Sequence, residues 1–170
     1  KTAGQLLDVT VLVPVWKKQK NKERPVPIAF FGSTIHHTDV GGYGIGAGGR
    51  DCFEEGLWIP ICKLMKEGKR NEDVWKFILS NVRQPDHMAG DLHAQMASGE
   101  VGAQRLLTLC ENHNIEDIED LSDEIVQRSE EATRTSIKEL KAGTYSSSAL
   151  LDLADGSKID IVCSMEVDPE

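Results

Sequence analysis

The residues of this chain best suited to bind a metal are concentrated in His36-His37-Thr38-Asp39. Imidazole nitrogen and carboxylate oxygen together suit zinc, manganese or ferrous iron. Successive residues of an extended chain point to opposite faces, so His36 and His37 do not share one ion and at most one of them is a ligand. Asp8 heads an apolar run and reaches the same place if that run pairs with the one leading into His36. On these residues alone, a metal centre and a pair of hydrogen-bonded structural histidines beside a turn fit equally well. A second grouping is Gly90-Asp91-Leu92-His93-Ala94-Gln95, in which Asp91 and Gln95 lie one helical turn apart on a shared face while His93 points elsewhere. They either orient a site together or serve as caps and surface contacts. His87 and His113 stand singly near helix ends and are given no role.

Several other chemistries are set aside. Gly44-Ile45-Gly46-Ala47-Gly48-Gly49 matches G-x-G-x-x-G, but only six residues separate it from Gly56, too few for the helix that would hold a pyrophosphate. Neither a G-x-S-x-G elbow nor a Walker loop is present, so the chain offers no route of its own to ATP. With 19 Lys+Arg against 28 Asp+Glu, it is too acidic for a nucleic-acid backbone or an anionic membrane surface to be its main partner. The one basic cluster, Lys17, Lys18, Lys20, Lys22 and Arg24, lacks stacking aromatics and reads as a solvated loop. Cys52, Cys62, Cys110 and Cys163 form no C-x-x-C pair and read as reduced core thiols, which suggests a cytoplasmic protein. No run of about 18 apolar residues and no secretory signal pattern occurs.

These residues need elements to position them. The β-branched run from Asp8 to Trp16 predicts a strand, with Val9, Val11, Val13 and Val15 on one face and Leu12 and Trp16 on the other, covered on both sides. A second strand, Val26 to Ser33, leads directly into the histidine pair, so the ligand-type residues fall where a rigid scaffold meets a loop. The glycine-dense stretch from Gly41 to Gly49 needs to be held by something else. A short strand is expected over Cys62 to Met65, then a turn at Glu67-Gly68. Asn71 is expected to cap a helix whose apolar face carries Val74, Phe77, Ile78 and Val82 and which Pro85 ends. A second helix spans about Asp86 to Glu111, where Gly90, Gly99 and Gly102 imply close neighbours. A third runs from Ile118 to Leu140, stopped by Gly143, with Leu121, Ile125 and Ile137 spaced along it. Thr144 to Leu153 and Lys158 to Val167 are expected to form a hairpin about a two-residue Asp155-Gly156 turn. The fold class is α+β, one partial domain made of a strand-rich metal-site region (1–66), a helical region (67–142) and a β-hairpin (143–170). Both ends read as cut from a longer protein.

Four stretches in order, His36-His37-Thr38-Asp39-Val40-Gly41-Gly42, Glu54-Glu55-Gly56-Leu57-Trp58-Ile59-Pro60, Asn81-Val82-Arg83 followed by Pro85, and Gly90 to Gln95, resemble the hydantoinase B/oxoprolinase family over nearly the whole chain. The resemblance implies a subunit of an ATP-dependent hydantoinase, 5-oxoprolinase or lactamase, or of an acetone or acetophenone carboxylase. In these enzymes a hydantoinase A-type partner binds ATP, and phosphoryl transfer activates the carbonyl of a cyclic amide or the co-substrate of a ketone. It also implies a divalent metal, manganese, zinc or iron, in the B-type subunit. The family's Thr-His-Leu-Pro-Asp pattern falls before the first strand, and its metal ligands carry over to Gln5, Asp8 and His36, with His37 and Asp39 orienting ligands or contacting substrate. Gln5 stands where the family has histidine and Leu7 where it has proline, and an amide oxygen is the weaker ligand. Amide hydrolysis is the first expectation, ketone carboxylation the second, and a metal-free assembly subunit the third. An isolated piece of such a subunit is expected to be inactive and to associate through exposed apolar strand surface.

Overall fold

The computed structural model describes residues 5–19, 22–43, 49–153 and 155–168. The glycine run 44–48 and Lys20 of the basic cluster lie outside them. The chain is α+β as expected, with three helices and three antiparallel strand pairs among the described residues. Contacts group it into two compact units, one up to Ile118 and one from Glu119 onward.

In the first unit, β1 (Asp8–Lys17) pairs antiparallel with β2 (Val26–His36), from Asp8 opposite His36 to Lys17 opposite Val26, with a bulge at Val15/Trp16. Only the valine face of β1 is covered. Val11 and Val15 are buried, whereas Leu12 and Trp16 on the other face are 63% and 55% exposed, which corrects the reading of a strand packed on both sides. The alternation is that of an antiparallel strand with a single packed face.

The covering element is α2 (Pro85–Asn112). Two of its glycines let it approach the sheet closely: a Cβ on Gly99 would sit 2.4 Å from Val13 Cγ2, and one on Gly102 would sit 2.7 Å from the Phe31 ring. Gly90 has no such neighbour, so the inference of close packing holds at two of the three helical glycines. Leu7, Val11, Val40, Trp75, Ile78, Met88 and Leu92 form the core between sheet and helices. Each large side chain buried there contributes about 1.5–3 kcal/mol of hydrophobic free energy.

The connection from β2 to α2 departs from the sequence reading in detail. Cys62 to Leu64 is irregular, and β3 (Met65–Lys66) pairs with β4 (Lys69–Arg70) about Glu67-Gly68, both at positive φ. Consecutive positive φ angles are what a tight hairpin turn demands. Helix α1 (Glu72–Leu79) is shorter than expected. Its face is Trp75 and Ile78, while Phe77 is exposed. Asn71 stands at the N-cap position as expected, its carbonyl accepting from Trp75 N–H at 3.1 Å, but its side-chain amide donates to Lys63 O at 2.9 Å and makes no capping hydrogen bond. Pro85 opens α2 at its first turn and does not close α1, consistent with a residue that lacks an N–H and has a preset φ.

The second unit holds α3 (Glu119–Lys138) and the hairpin of β5 (Gly143–Asp152) with β6 (Lys158–Val167). Leu121, Ile125 and Ile137 of α3 are exposed, and ion pairs Arg128–Glu124 and Arg134–Glu130 lie one turn apart along it. Gly143, at φ +145°, begins β5 and does not terminate the helix. Asp152 pairs with Lys158, so the connection is five residues, 153–157, and not a two-residue turn. Gly156 supplies the positive φ, and Asp155 accepts hydrogen bonds from the Ser157 hydroxyl first and its backbone N–H second, which hold its carboxyl below the usual range. Tyr145, Leu151, Ile159, Ile161 and Met165 share one exposed face of the hairpin. The four cysteines are all free, but only Cys110 is buried, so the expectation of core thiols holds at one position. No helix among the described residues is long and apolar enough to cross a membrane.

Candidate functional site

Register places Asp8 and His36 together. They face each other across the open end of the β1–β2 pair, and His36 Nδ1 lies 2.7 Å from Asp8 Oδ1. Gln5 is drawn to the same edge by a turn, since Asp8 N–H donates to Gln5 O at 3.0 Å and Gln5 N–H donates to Asp8 Oδ2 at 3.2 Å. The three positions read from the sequence as a ligand set are therefore neighbours. One carboxylate oxygen and one imidazole nitrogen side by side suit a divalent cation. No third His, Cys, Asp or Glu joins such a group among the described residues, and Gln5 reaches this edge through its backbone hydrogen bonds to Asp8.

His36 and His37 diverge as an extended backbone requires. His36 has a side chain 62% exposed, and that of His37 is 1% exposed. His37 N–H donates to Leu7 O at 2.9 Å, and its Nε2 lies 3.1 Å from Gln95 Oε1. Gln95, itself buried, donates from Nε2 to Val9 O at 2.9 Å and to Ser33 O at 2.8 Å, joining α2 to both strands. Asp91, one turn earlier, places Oδ2 3.7 Å from His37 Nδ1, which has no hydrogen-bond partner among the described residues. Asp91 and Gln95 thus share a face toward the histidine pair. His93 points elsewhere, donating to Ala89 O at 2.7 Å with its ring against Trp75.

Asp39 serves a different purpose from the other acids. Its oxygens accept from Gly41 N–H at 3.0 Å, from Arg83 Nη1 at 2.7 Å and from the Arg83 backbone N–H, and Arg83 Nη2 donates to Gly42 O. Its side chain is 8% exposed. Burial pushes the carboxyl up, but the hydrogen bonds from Gly41 and Arg83 and the guanidinium charge outweigh it and hold Asp39 below its ordinary range. A carboxylate so engaged fastens the loop after β2 to the connection between α1 and α2. The acid and its arginine are far apart in sequence, and no local pattern links them.

The glycines of the first two motifs interlock. Gly42, at φ +60°, leaves 2.3 Å between a would-be Cβ and Glu54 O, and Gly56, at φ +129°, leaves 2.4 Å to Val40 O. Leu57 N–H donates to Val40 O at 2.6 Å and Tyr43 N–H to Glu54 O at 3.0 Å, so the 54–57 segment holds the described start of the glycine stretch. Glu55 Oε2 accepts from Leu6 N–H at 3.1 Å, tying the same segment to the turn that carries Gln5 and Asp8. All four stretches singled out in the sequence converge on this end of the first unit.

The family model for hydantoinase B/oxoprolinase matches residues 1–170. The chain belongs to this family. As a hydantoinase B/oxoprolinase family member, it is 32% identical over 149 residues to a protein assigned as the B-type subunit of a D-/L-hydantoinase from Pseudomonas sp. (strain NS671), a match covering 85% of this chain and 24% of the relative. The crystal structure of ATP-dependent caprolactamase from Pseudomonas jessenii superposes with a TM-score of 0.79 at 28% identity, over 98% of this chain and 28% of that one. The acetophenone carboxylase delta subunit of Aromatoleum aromaticum is 27% identical over 142 residues, 81% of this chain and 20% of the relative. The chain spans between about an eighth and a quarter of the length of the curated relatives it matches.

Proposed function

We propose that this chain supplies the metal-binding edge of a hydantoinase B-type subunit in an ATP-dependent enzyme that hydrolyses cyclic amides. ATP would be bound by a hydantoinase A-type partner in a cytoplasmic hetero-oligomer. The observation that carries the reading is the pairing of Asp8 with His36 at 2.7 Å on the edge that Gln5 also occupies. Those three residues would hold manganese, zinc or iron, and a bound ion of this kind polarises a carbonyl oxygen or lowers the pKa of a water. His37 orients the strand end from beneath through Gln95, and Asp39 keeps the following loop in place through Arg83. Similarity to the caprolactamase chain favours amide hydrolysis over the other activities named among the relatives.

Ketone carboxylation is the second reading, favoured by the similarity to an acetophenone carboxylase subunit. Elemental analysis of the purified chain beside a His36→Ala variant tests the common ground. Stoichiometric metal in the parent and none in the variant is expected. Metal in neither would favour a structural subunit in which Gln5 has replaced a ligand. Bicarbonate-dependent turnover by the full-length subunit with its ATP-binding partner would select carboxylation over hydrolysis.

A further inference from the structure

The buried histidine is held in one defined form, and the constraint comes from Gln95. Its Nε2 faces two backbone carbonyls, Val9 O at 2.9 Å and Ser33 O at 2.8 Å, which only accept hydrogen bonds. Turning the amide over would set its oxygen against both of them, so Oε1 is the atom that faces His37 Nε2 at 3.1 Å. An amide oxygen is purely an acceptor, and Nε2 of His37 must therefore donate. In the neutral ring Nδ1 then carries only a lone pair. That atom is buried, has no hydrogen-bond partner among the described residues, and looks toward Asp91 Oδ2 at 3.7 Å. Two acceptors at this separation are too far apart for a direct hydrogen bond and have no proton to share.

We propose that Gln95 is a positioning residue that holds His37 as its Nε2–H tautomer, and that His37 Nδ1 and Asp91 Oδ2 together bind one two-proton donor, a water molecule. A water donates one O–H to each acceptor and satisfies the buried nitrogen, the usual solution for a polar atom left unpaired inside a protein. This goes beyond the metal-subunit reading and stands whether or not Asp8 and His36 hold an ion.

Ring ¹⁵N NMR of the chain, recorded above the usual imidazole titration range, reads the tautomer directly. His37 is expected to show a protonated Nε2 and an unprotonated Nδ1, unchanged in Asp91→Asn and losing its single-tautomer signature in Gln95→Met. The unmodified protein alone decides the tautomer if Gln95→Met does not fold. A proton on Nδ1, alone or together with one on Nε2, would overturn the assignment. A crystal structure is expected to show a water within about 3.2 Å of both Nδ1 and Oδ2. A metal ion there, or His37 and Asp91 in direct contact, would overturn the second half of the proposal.

Discussion

The two compact units of this chain handle their polar and apolar groups in opposite ways. Up to Ile118, strand ends, loops and α2 are cross-linked by side chains that bond to backbone: Gln95 to both strands, Asp39 to Arg83 and Gly41, Glu55 to Leu6. From Glu119 onward, the hairpin satisfies its own backbone but leaves apolar side chains exposed on both faces, such as Ile161 on one and Leu150 on the other. The first arrangement fixes a few side chains to within the tolerance that a site needs. Among the described residues of the second, Val167 is the one buried apolar side chain, so substitutions in the two units should differ sharply in cost.

The largest effect is expected at the interlocked glycines. Gly42→Ala places a Cβ against Glu54 O at a positive φ, and a loss of about 3 kcal/mol, combining backbone strain with overcrowding, should appear as a lower denaturant midpoint. Next is Gln95→Leu, which leaves His37 Nε2 and two carbonyl acceptors without their partner in a buried place; about 2 kcal/mol is expected by the same measurement.

Asp39→Asn should cost about 1–2 kcal/mol at neutral pH, since it removes the charged acceptor facing Arg83. It should also alter the pH dependence. The Asp39 carboxyl is held below its unfolded value, so its stabilisation is complete above about pH 4 and fades as pH falls through the folded value. Acid titration of stability should therefore be shallower in Asp39→Asn than in the parent, and identical profiles would sever the link to Arg83.

The smallest thermodynamic effect is expected in the hairpin. Ile161→Lys should leave stability within about 0.5 kcal/mol of the parent, because the side chain is already half exposed. Light scattering should show less self-association in this variant. A loss comparable to that at Gly42 would mean that the second unit is as tightly packed as the first.

Legibility in the sequence follows the range of the interaction. Alternation and periodicity predict the four long strands, the pairing of the last two, the long helix α2 and the α+β class, because these patterns repeat over many residues, whereas the pairing of β1 with β2 comes from the fold. They also place Asp8 near His36 once the strands are paired, and Asp91 with Gln95 on one face. Boundaries set by single residues are less legible. Pro85 reads as the end of one helix and instead begins the next, since proline is compatible with both. Asp155-Gly156 suggests a tight turn, but register closes a five-residue loop. Arg83 belongs to a stretch that carries the family resemblance, yet the sequence gives it no role, because its partner Asp39 lies 44 residues earlier and only the fold joins them. Leu12 and Trp16 are exposed against expectation, since a β-branched run does not reveal how many faces are packed.

Whether Asp8, His36 and Gln5 form a metal site is tested most directly by calorimetric titration of manganese or zinc into the parent chain, His36→Ala and Gln5→His. One site is predicted in the parent, no binding in His36→Ala, and tighter binding in Gln5→His, where imidazole replaces an amide on the edge that holds Asp8 and His36. No binding in Gln5→His, or binding that survives the loss of His36, would contradict it.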